Sequence, residues 1–311
     1  MNQPDFTQAV PPNGYAWWYV DAFSDDGARG ITIIAFIGSV FSPYYKFARG
    51  RGPTDPANHC ALNIALYGRT DRRWAMTERG RRHLQRIPST LSIGPSALTW
   101  QDDSLTIQID ETCAPIPRRL RGTVRVFPRL WPGASYTLDA EGQHRWSPLA
   151  PLARVEVALT QPAQHWSGEG YLDSNAGAVP LESSFRRWNW SRAPLHQGAA
   201  ILYDVVRRDG STQNLSLRFD NAGSIDELAA PAAIDLPRTG WRLPRGTRAD
   251  TADGASVATT FTDAPFYARS LLRTRIAGEQ ATAMHESLSM TRFTAPVVQA
   301  MLPFRMPRAL R

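Results

Sequence analysis

Carboxylates set among aromatic side chains are the groups in this chain best suited to chemistry. The segment "SGEGYLDSN" (167–175) carries Asp173, with Tyr171 two residues before it and Asn175 two residues after. On an extended strand, residues i and i+2 share a face, so Tyr171 and Asp173 would stand side by side. "YVDAFSDDG" (19–27) holds Asp21, Asp25 and Asp26. The last two precede Gly27 and read as a hairpin turn. Asp21 falls inside the strand pattern, where a turn does not explain it. "ILYDVVRRDG" (201–210) sets Asp204 next to Tyr203, on opposite faces if the strand is regular. A carboxylic acid facing an apolar interior is costly to ionise and stays protonated near neutrality. In that form it is a strong proton donor to a weakly basic substrate. The alternative is a turn or capping aspartate with ordinary ionisation, and for Asp173 the pattern alone leaves both open.

Other chemistries lack their residues. There is no GxGxxG after a strand, no P-loop, no HExxH and no GxSxG elbow. The six histidines, His59, His83, His144, His165, His196 and His285, show no metal-ligand spacing. Cys60 and Cys113 are far apart and form no CxxC pair, which argues against zinc or redox motifs and fits a reducing compartment.

The elements that must hold these carboxylates read as strands. Leu105, Ile107 and Ile109 alternate with Thr106, Gln108 and Asp110, and "RVEVALT" (154–160) and "LSLRF" (215–219) alternate likewise. "TIIAFI" (32–37) is continuously apolar, as in a strand buried on both faces. Turn signals such as "PNG", "DDG", "RDG" and "ADG" separate the runs. Helical patterns are scarce; the best is the tail "TAPVVQAMLPFRM" (294–306). The expectation is an all-β protein of two barrel or sandwich domains with few short helices. A change to Ala-, Asp- and Pro-rich composition around 220–240 suggests domains at 1–220 and 221–311.

Ten tryptophans is a high count, and several cluster, as in "YAWWYVDAF" (15–23) and "RWNW" (187–190). Alternation puts Trp17 and Tyr19 on one face and Trp18 and Val20 on the other. Such rings, with Trp188 and Trp190, serve core packing or line a pocket for an apolar ligand. Net charge is +7, yet the arginines are scattered, and "RTDRRW" (69–74) and "RGRRHLQR" (79–86) read as solvated loops or strand edges. This favours lipid headgroups over nucleic acid as the anionic partner. No signal-peptide pattern opens the chain, and the longest apolar run, 31–41, is too short to span a bilayer. The protein is therefore expected to be soluble or peripheral.

Several long blocks are similar to the carotenoid 1,2-hydratases of phototrophic bacteria, also called hydroxyneurosporene synthases. They are 12–45, 59–68 ("HCALNIALYG"), 73–80 ("RWAMTERG"), 168–182 ("GEGYLDSNAGAVPLE") and 198–211 ("GAAILYDVVRRDGS"). The resemblance spans most of the chain and weakens beyond about 245. More distantly the chain resembles a superfamily of two lipocalin-like domains that includes cofactor-free Diels–Alder cyclases. Family members often carry extra N-terminal sequence, whereas the similar block here starts at residue 12.

The resemblance implies two lipocalin-like domains, no cofactor, and addition of water to the terminal C1=C2 bond of acyclic carotenoids such as lycopene and neurosporene. It places the proton donor on Asp173, with Tyr171 positioning the acid or the water. It matches Trp146 to an active-site tryptophan whose ring would stabilise a cation. Asp204 would assist in taking the proton of the added water or make a structural hydrogen bond to a nearby backbone group or arginine, and Asn175 would orient Asp173 or serve a turn. Tyr203, Trp17, Tyr19, Asp21, Trp188 and Trp190 are expected around the substrate. The expected location is the cytoplasmic side of a bacterial membrane, in peripheral contact through the basic surplus and the apolar tail (Val297, Val298, Met301, Leu302, Phe304, Arg305). The competing readings are a lipocalin-type carrier without chemistry and a cyclase on the same fold.

Overall fold

The computed structural model describes residues 5–68, 70–229 and 231–309. Arg69, the first residue of one basic cluster, lies outside them. The chain is built mostly of strands and divides into two compact units, one of residues 1–180 and 300–311, the other of 181–299. The boundary expected at 220/221 instead falls inside the second unit. There the segment on either side of it forms one hairpin, with Leu217 opposite Glu227. The compositional change at 220–240 marks that hairpin and the following strand rather than a division between compact units.

The strands of the first unit are β1 (Tyr15–Ser24), β2 (Gly30–Ile37), β3 (Cys60–Tyr67), β4 (Arg73–Arg79), β5 (Leu84–Ile87), β6 (Thr90–Ile93), β7 (Ser96–Gln101), β8 (Ser104–Thr112), β9 (Arg119–Pro128), β10 (Tyr136–Thr137), β11 (His144–Gln161) and β12 (Ala163–Gly177). They form one antiparallel sheet in the order β4-β3-β2-β1-β12-β11-β9-β8-β7-β6-β5, with β10 beside β11. A single apolar cluster joins Ile33 and Leu62 near one end of that order to Leu91, Leu98 and Leu105 near the other. Strands so far apart in the sheet share a core only because the sheet curls into a nearly closed, lipocalin-like barrel. The alternation read from sequence holds: Leu105, Ile107, Ile109, Val155, Val157 and Leu159 all point into this core. β2 is buried along its whole length, as its continuous apolar run requires.

Two glycines set the spacing where β12 meets its neighbours. A methyl group on Gly168 would lie 1.7 Å from the Phe23 carbonyl oxygen, and one on Gly170 would lie 2.3 Å from Val155 Cγ2. The "GEG" before Tyr171 therefore reflects close strand approach. The turn at "DDG" is as expected: Gly27 has φ +66°, and Asp26 accepts from the Ala28 amide and the Ser24 hydroxyl.

In the second unit α2 (Leu181–Ser184) leads into β13 (Phe185–Leu195), β14 (Gly198–Arg207), β15 (Thr212–Asp220), β16 (Ile225–Glu227), β17 (Ala232–Leu236), β18 (Arg245–Ala249), β19 (Ala255–Asp263), β20 (Tyr267–Ile276) and β21 (Glu279–Ser289). Seven of these form the sheet β16-β15-β14-β13-β21-β20-β19, and β17 pairs with β18. Ala193, Leu202, Leu236 and Leu272 belong to its core. Helices are short: α1 (Pro43–Arg49), α3 (Met290–Phe293) and α4 (Pro296–Arg305), the last being the helix expected in the tail. After α4 the chain runs along the free edge of β4. The Glu78 amide donates to Pro307 O, the Ala309 amide donates to Glu78 O, and Arg308 pairs with the buried Glu78 carboxylate. Among the described residues no helix is long and apolar enough to cross a membrane.

Candidate active site

Asp173 is a strand residue, not a turn residue. It sits near the middle of β12 and is 5% exposed. The side chain of Leu172 enters the barrel core, so Asp173 points to the opposite face. Register builds the rest of that face. Tyr19 lies opposite Asp173, Asp21 opposite Tyr171, and Trp17 opposite Asn175 on β1, while Trp146 of β11 lies opposite Asn175 from the other side. The next row out on β2 and β3 adds Thr32, Ile34, Phe36 and Asn63. Trp18 and Val20 are in the core and Trp17 and Tyr19 are not, as alternation predicts. The barrel interior is filled by side chains, and the rings of Trp17, Tyr19 and Trp146 gather on the opposite face of β1, β12 and β11.

The Asp173 carboxylate is held by two donors on one oxygen. Tyr171 Oη donates to Oδ2 at 2.7 Å, and Trp146 Nε1 donates to the same Oδ2 at 2.9 Å. Both donors are fully buried. Two donors on Oδ2 fix the orientation of the carboxyl group, and each also stabilises its charged form. Hydrogen bonds of this kind are stronger to a charged oxygen than to a neutral one. Tyr171 is the donor, not a source of charge: burial first, then the Asp173 charge, holds its hydroxyl well above its usual range. The Tyr171 ring meets Tyr19 edge-on, with centroids 6.0 Å apart.

Trp146 donates its N–H to Asp173, and its ring packs on Tyr136 at 5.5 Å between centroids. The Asn175 side-chain nitrogen is buried with no hydrogen-bond partner among the described residues, and so is the Thr32 hydroxyl.

One residue of this face stands out in the sequence only as one of six histidines without metal-ligand spacing. His144, at the start of β11, is fully buried and lies opposite Gly177, which in turn lies opposite Tyr15. Its Nδ1 is 2.9 Å from the Tyr15 hydroxyl, and Tyr15 stacks on Trp17 at 4.9 Å. A methyl group on Gly177 would come within 2.3 Å of the Tyr15 ring and 2.7 Å of His144 Nδ1, so the glycine makes room for the pair. Burial pushes His144 down to about 4 from an ordinary 6.5, leaving a neutral imidazole at pH 7. The i, i+2 spacing of His144 and Trp146 was the available signal.

The remaining expected residues belong to the second unit. Trp190 lies opposite Tyr203, and Trp188 approaches the Tyr203 ring at 6.4 Å. All three are buried and point away from the core that contains Leu202. Asp204 points to the other face, as alternation requires. Arg248 Nε donates to its two oxygens at 2.8 and 3.1 Å, and Asn214 donates at 3.0 Å. That arrangement is an ion pair joining β14 to β18. Both cysteines are buried thiols, and no cluster of metal-ligating side chains occurs among the described residues.

The family description "Carotenoid hydratase CrtC" matches residues 33–311. The chain is 55% identical over 306 residues to the acyclic carotenoid 1,2-hydratase of Thiocapsa roseopersicina, covering 98% of this chain and 76% of that one. It is 48% identical over 308 residues to the enzyme of the same name from Rubrivivax gelatinosus, with coverages of 98% and 76%. Among solved structures, a Nitrosomonas europaea protein assigned to AttH superposes with a TM-score of 0.61, covering 93% of this chain and 99% of that one. At 13% identity that likeness carries the fold alone.

Proposed function

The chain belongs to the carotenoid hydratase CrtC family, and from that membership we propose that it adds water across the terminal C1=C2 bond of acyclic carotenoids, lycopene and neurosporene among them, to give a tertiary alcohol. The observation that carries this reading is the buried Asp173, with both donors on one oxygen, on a face lined by Trp17, Tyr19 and Phe36. A trisubstituted alkene is a very weak base, so its protonation needs a strong acid already in place. Asp173 delivers the proton from Oδ1 to C2, leaving a tertiary cation at C1. Tyr171 and Trp146 stabilise the carboxylate as it forms, without reorganising. The aromatic faces around the site favour the transient cation. Water then bonds to C1 and gives its proton to a carboxylate of the site, so that alkene plus water gives alcohol with the acid restored overall.

The substrate is a long polyene dissolved in membrane, and α4 offers a contact with it. Val297, Met301 and Phe304 are 67%, 41% and 75% exposed and recur at helical spacing, while Val298 and Leu302 between them are buried. With the positive net charge, this stripe suits the headgroup region of an anionic bilayer. A carrier without chemistry would have no use for a buried acid held by two donors. The deciding experiment incubates the protein with lycopene in liposomes and weighs the product. Gain of one water supports the hydratase, whereas unchanged lycopene that stays bound refutes it. Asp173→Asn keeps the shape and removes the acid, so turnover should fall by orders of magnitude while binding persists.

A further inference from the structure

The donor half of the reaction has its residue in Asp173; the water half needs a base. We propose that Asp21 is the second catalytic carboxylate of this site, the base that takes the proton from the attacking water. The proposal rests on the reading that Asp173 is the acid.

Asp21 is completely buried in the middle of β1. It lies directly opposite Tyr171 on β12 and directly opposite Thr32 on β2. Tyr19 and Asp173 form the adjacent pair, so Asp21 and Asp173 occupy one diagonal of a four-residue square, and Tyr19 and Tyr171, already in ring contact, occupy the other. Diagonal neighbours across an antiparallel pair are about 7–8 Å apart. Two carboxyl groups at roughly 6.5–9.5 Å leave room for a water between them, which is the spacing used where one acid protonates and one base activates water. Closer carboxylates leave no such room. The two groups also differ in surroundings. Asp173 is fixed by a tyrosine and a tryptophan as donors, whereas the groups beside Asp21 include the Thr32 hydroxyl, fully buried with no hydrogen-bond partner among the described residues. A buried hydroxyl beside a carboxylate is a place for a water molecule.

The chemistry balances. Asp173 gives H⁺ to C2 and becomes a carboxylate; the water oxygen bonds to C1; Asp21 accepts the water's proton and becomes neutral. The sum is alkene plus water to alcohol, with one proton moved from Asp173 to Asp21. Its return to Asp173, through water of the site or the Tyr171 hydroxyl that donates to Asp173, closes the cycle. The titratable groups sharing this face include Tyr15 and Tyr19 on β1, Glu169, Tyr171 and Asp173 on β12, His144 on β11, Tyr67 on β3 and Glu78 on β4; β2 contributes the Thr32 hydroxyl.

The test is the pH profile of kcat/KM for lycopene hydration in liposomes. In the unaltered protein a bell is expected, falling at low pH as the base is protonated and at high pH as the acid ionises. Asp21→Asn should lower kcat by about 10²–10⁴-fold and abolish the low-pH limb while the high-pH limb remains. Asp21→Glu should recover part of the rate and restore the low-pH limb. Asp21→Asn within threefold of the unaltered rate with its low-pH limb intact overturns the proposal and leaves Asp173 as acid untouched. Full activity of Asp173→Asn overturns the acid reading instead. Should Asp21→Asn fail to fold, a folded Asp21→Glu with no low-pH limb overturns the proposal as well.

Discussion

Removing the Tyr171 hydroxyl isolates what positioning contributes to the acid. Tyr171→Phe deletes one oxygen, which lies 2.7 Å from Asp173 Oδ2 in a fully buried setting. The ring stays, with its edge contact to Tyr19 at 6.0 Å. A hydrogen bond to a charged group contributes about 1.5–3 kcal/mol. In the proposed step the charge on Asp173 appears only as the proton leaves, so the loss falls on the transition state rather than on substrate binding. At 1.36 kcal/mol per decade this is about a 10- to 150-fold drop in kcat. KM should change little, since the hydroxyl serves Asp173 rather than the polyene. Trp146 Nε1 still donates at 2.9 Å, so the residual rate should stay well above that of Asp173→Asn. The assay is steady-state hydration of lycopene in liposomes, quantified by chromatography of the alcohol, with thermal unfolding as the folding control. A kcat within twofold of the unaltered protein, or an effect carried wholly by KM, would refute the account of Asp173 as an acid tuned through Oδ2.

The buried histidines make a pH prediction. Burial brings His144 and His285 down to about 4 each, below the ordinary 6.5 of the unfolded chain. The unfolded state therefore binds protons first, and stability is present above pH 6.5 and lost as pH falls towards 4. The loss is up to roughly 3 kcal/mol per histidine; a melting temperature flat from pH 7 to 5 contradicts it. Gly170→Ala should destabilise by about 1–3 kcal/mol, because the new methyl meets Val155 Cγ2 at 2.3 Å and the Asp21 carbonyl oxygen at 2.9 Å. Unchanged urea unfolding would show that β12 can shift away. Replacing Val297, Met301 and Phe304 together by serine should weaken flotation with anionic vesicles by tenfold or more and leave hydration of detergent-dispersed substrate intact; equal flotation removes α4 from the membrane contact.

Much of this arrangement is legible in the sequence because period two is a strong constraint on strands. It separates Trp17 and Tyr19 from Trp18 and Val20, puts Tyr171 beside Asp173, and sends Tyr203 and Asp204 to opposite faces. What alternation does not supply is register, which depends on pairing between distant segments. Hence the place of His144, two residues from Trp146, follows only from the pairing of β11 that aligns it with Gly177 and Tyr15. Likewise Asp204, next to a tyrosine in the chain, is claimed by Arg248 from 44 residues away. The division near 180 was hidden because β12 and β13 are separated by only a three-residue stretch and the one-turn α2, with no change in composition. Composition changed instead at 220–240, inside the second unit.

β1 has no idle face. Its even residues fill the barrel and its odd residues build the candidate site, and nine of its ten residues are buried. In most enzymes a scaffold carries the fold and loops carry the chemistry, so loops can be exchanged while the scaffold stays. Here one strand carries both the fold and the candidate site. Laboratory evolution of substrate preference at Trp17 or Tyr19 would draw on the same reserve of stability that Trp18 and Val20 supply, and a library made in β1 needs stabilising changes elsewhere before it can be searched widely.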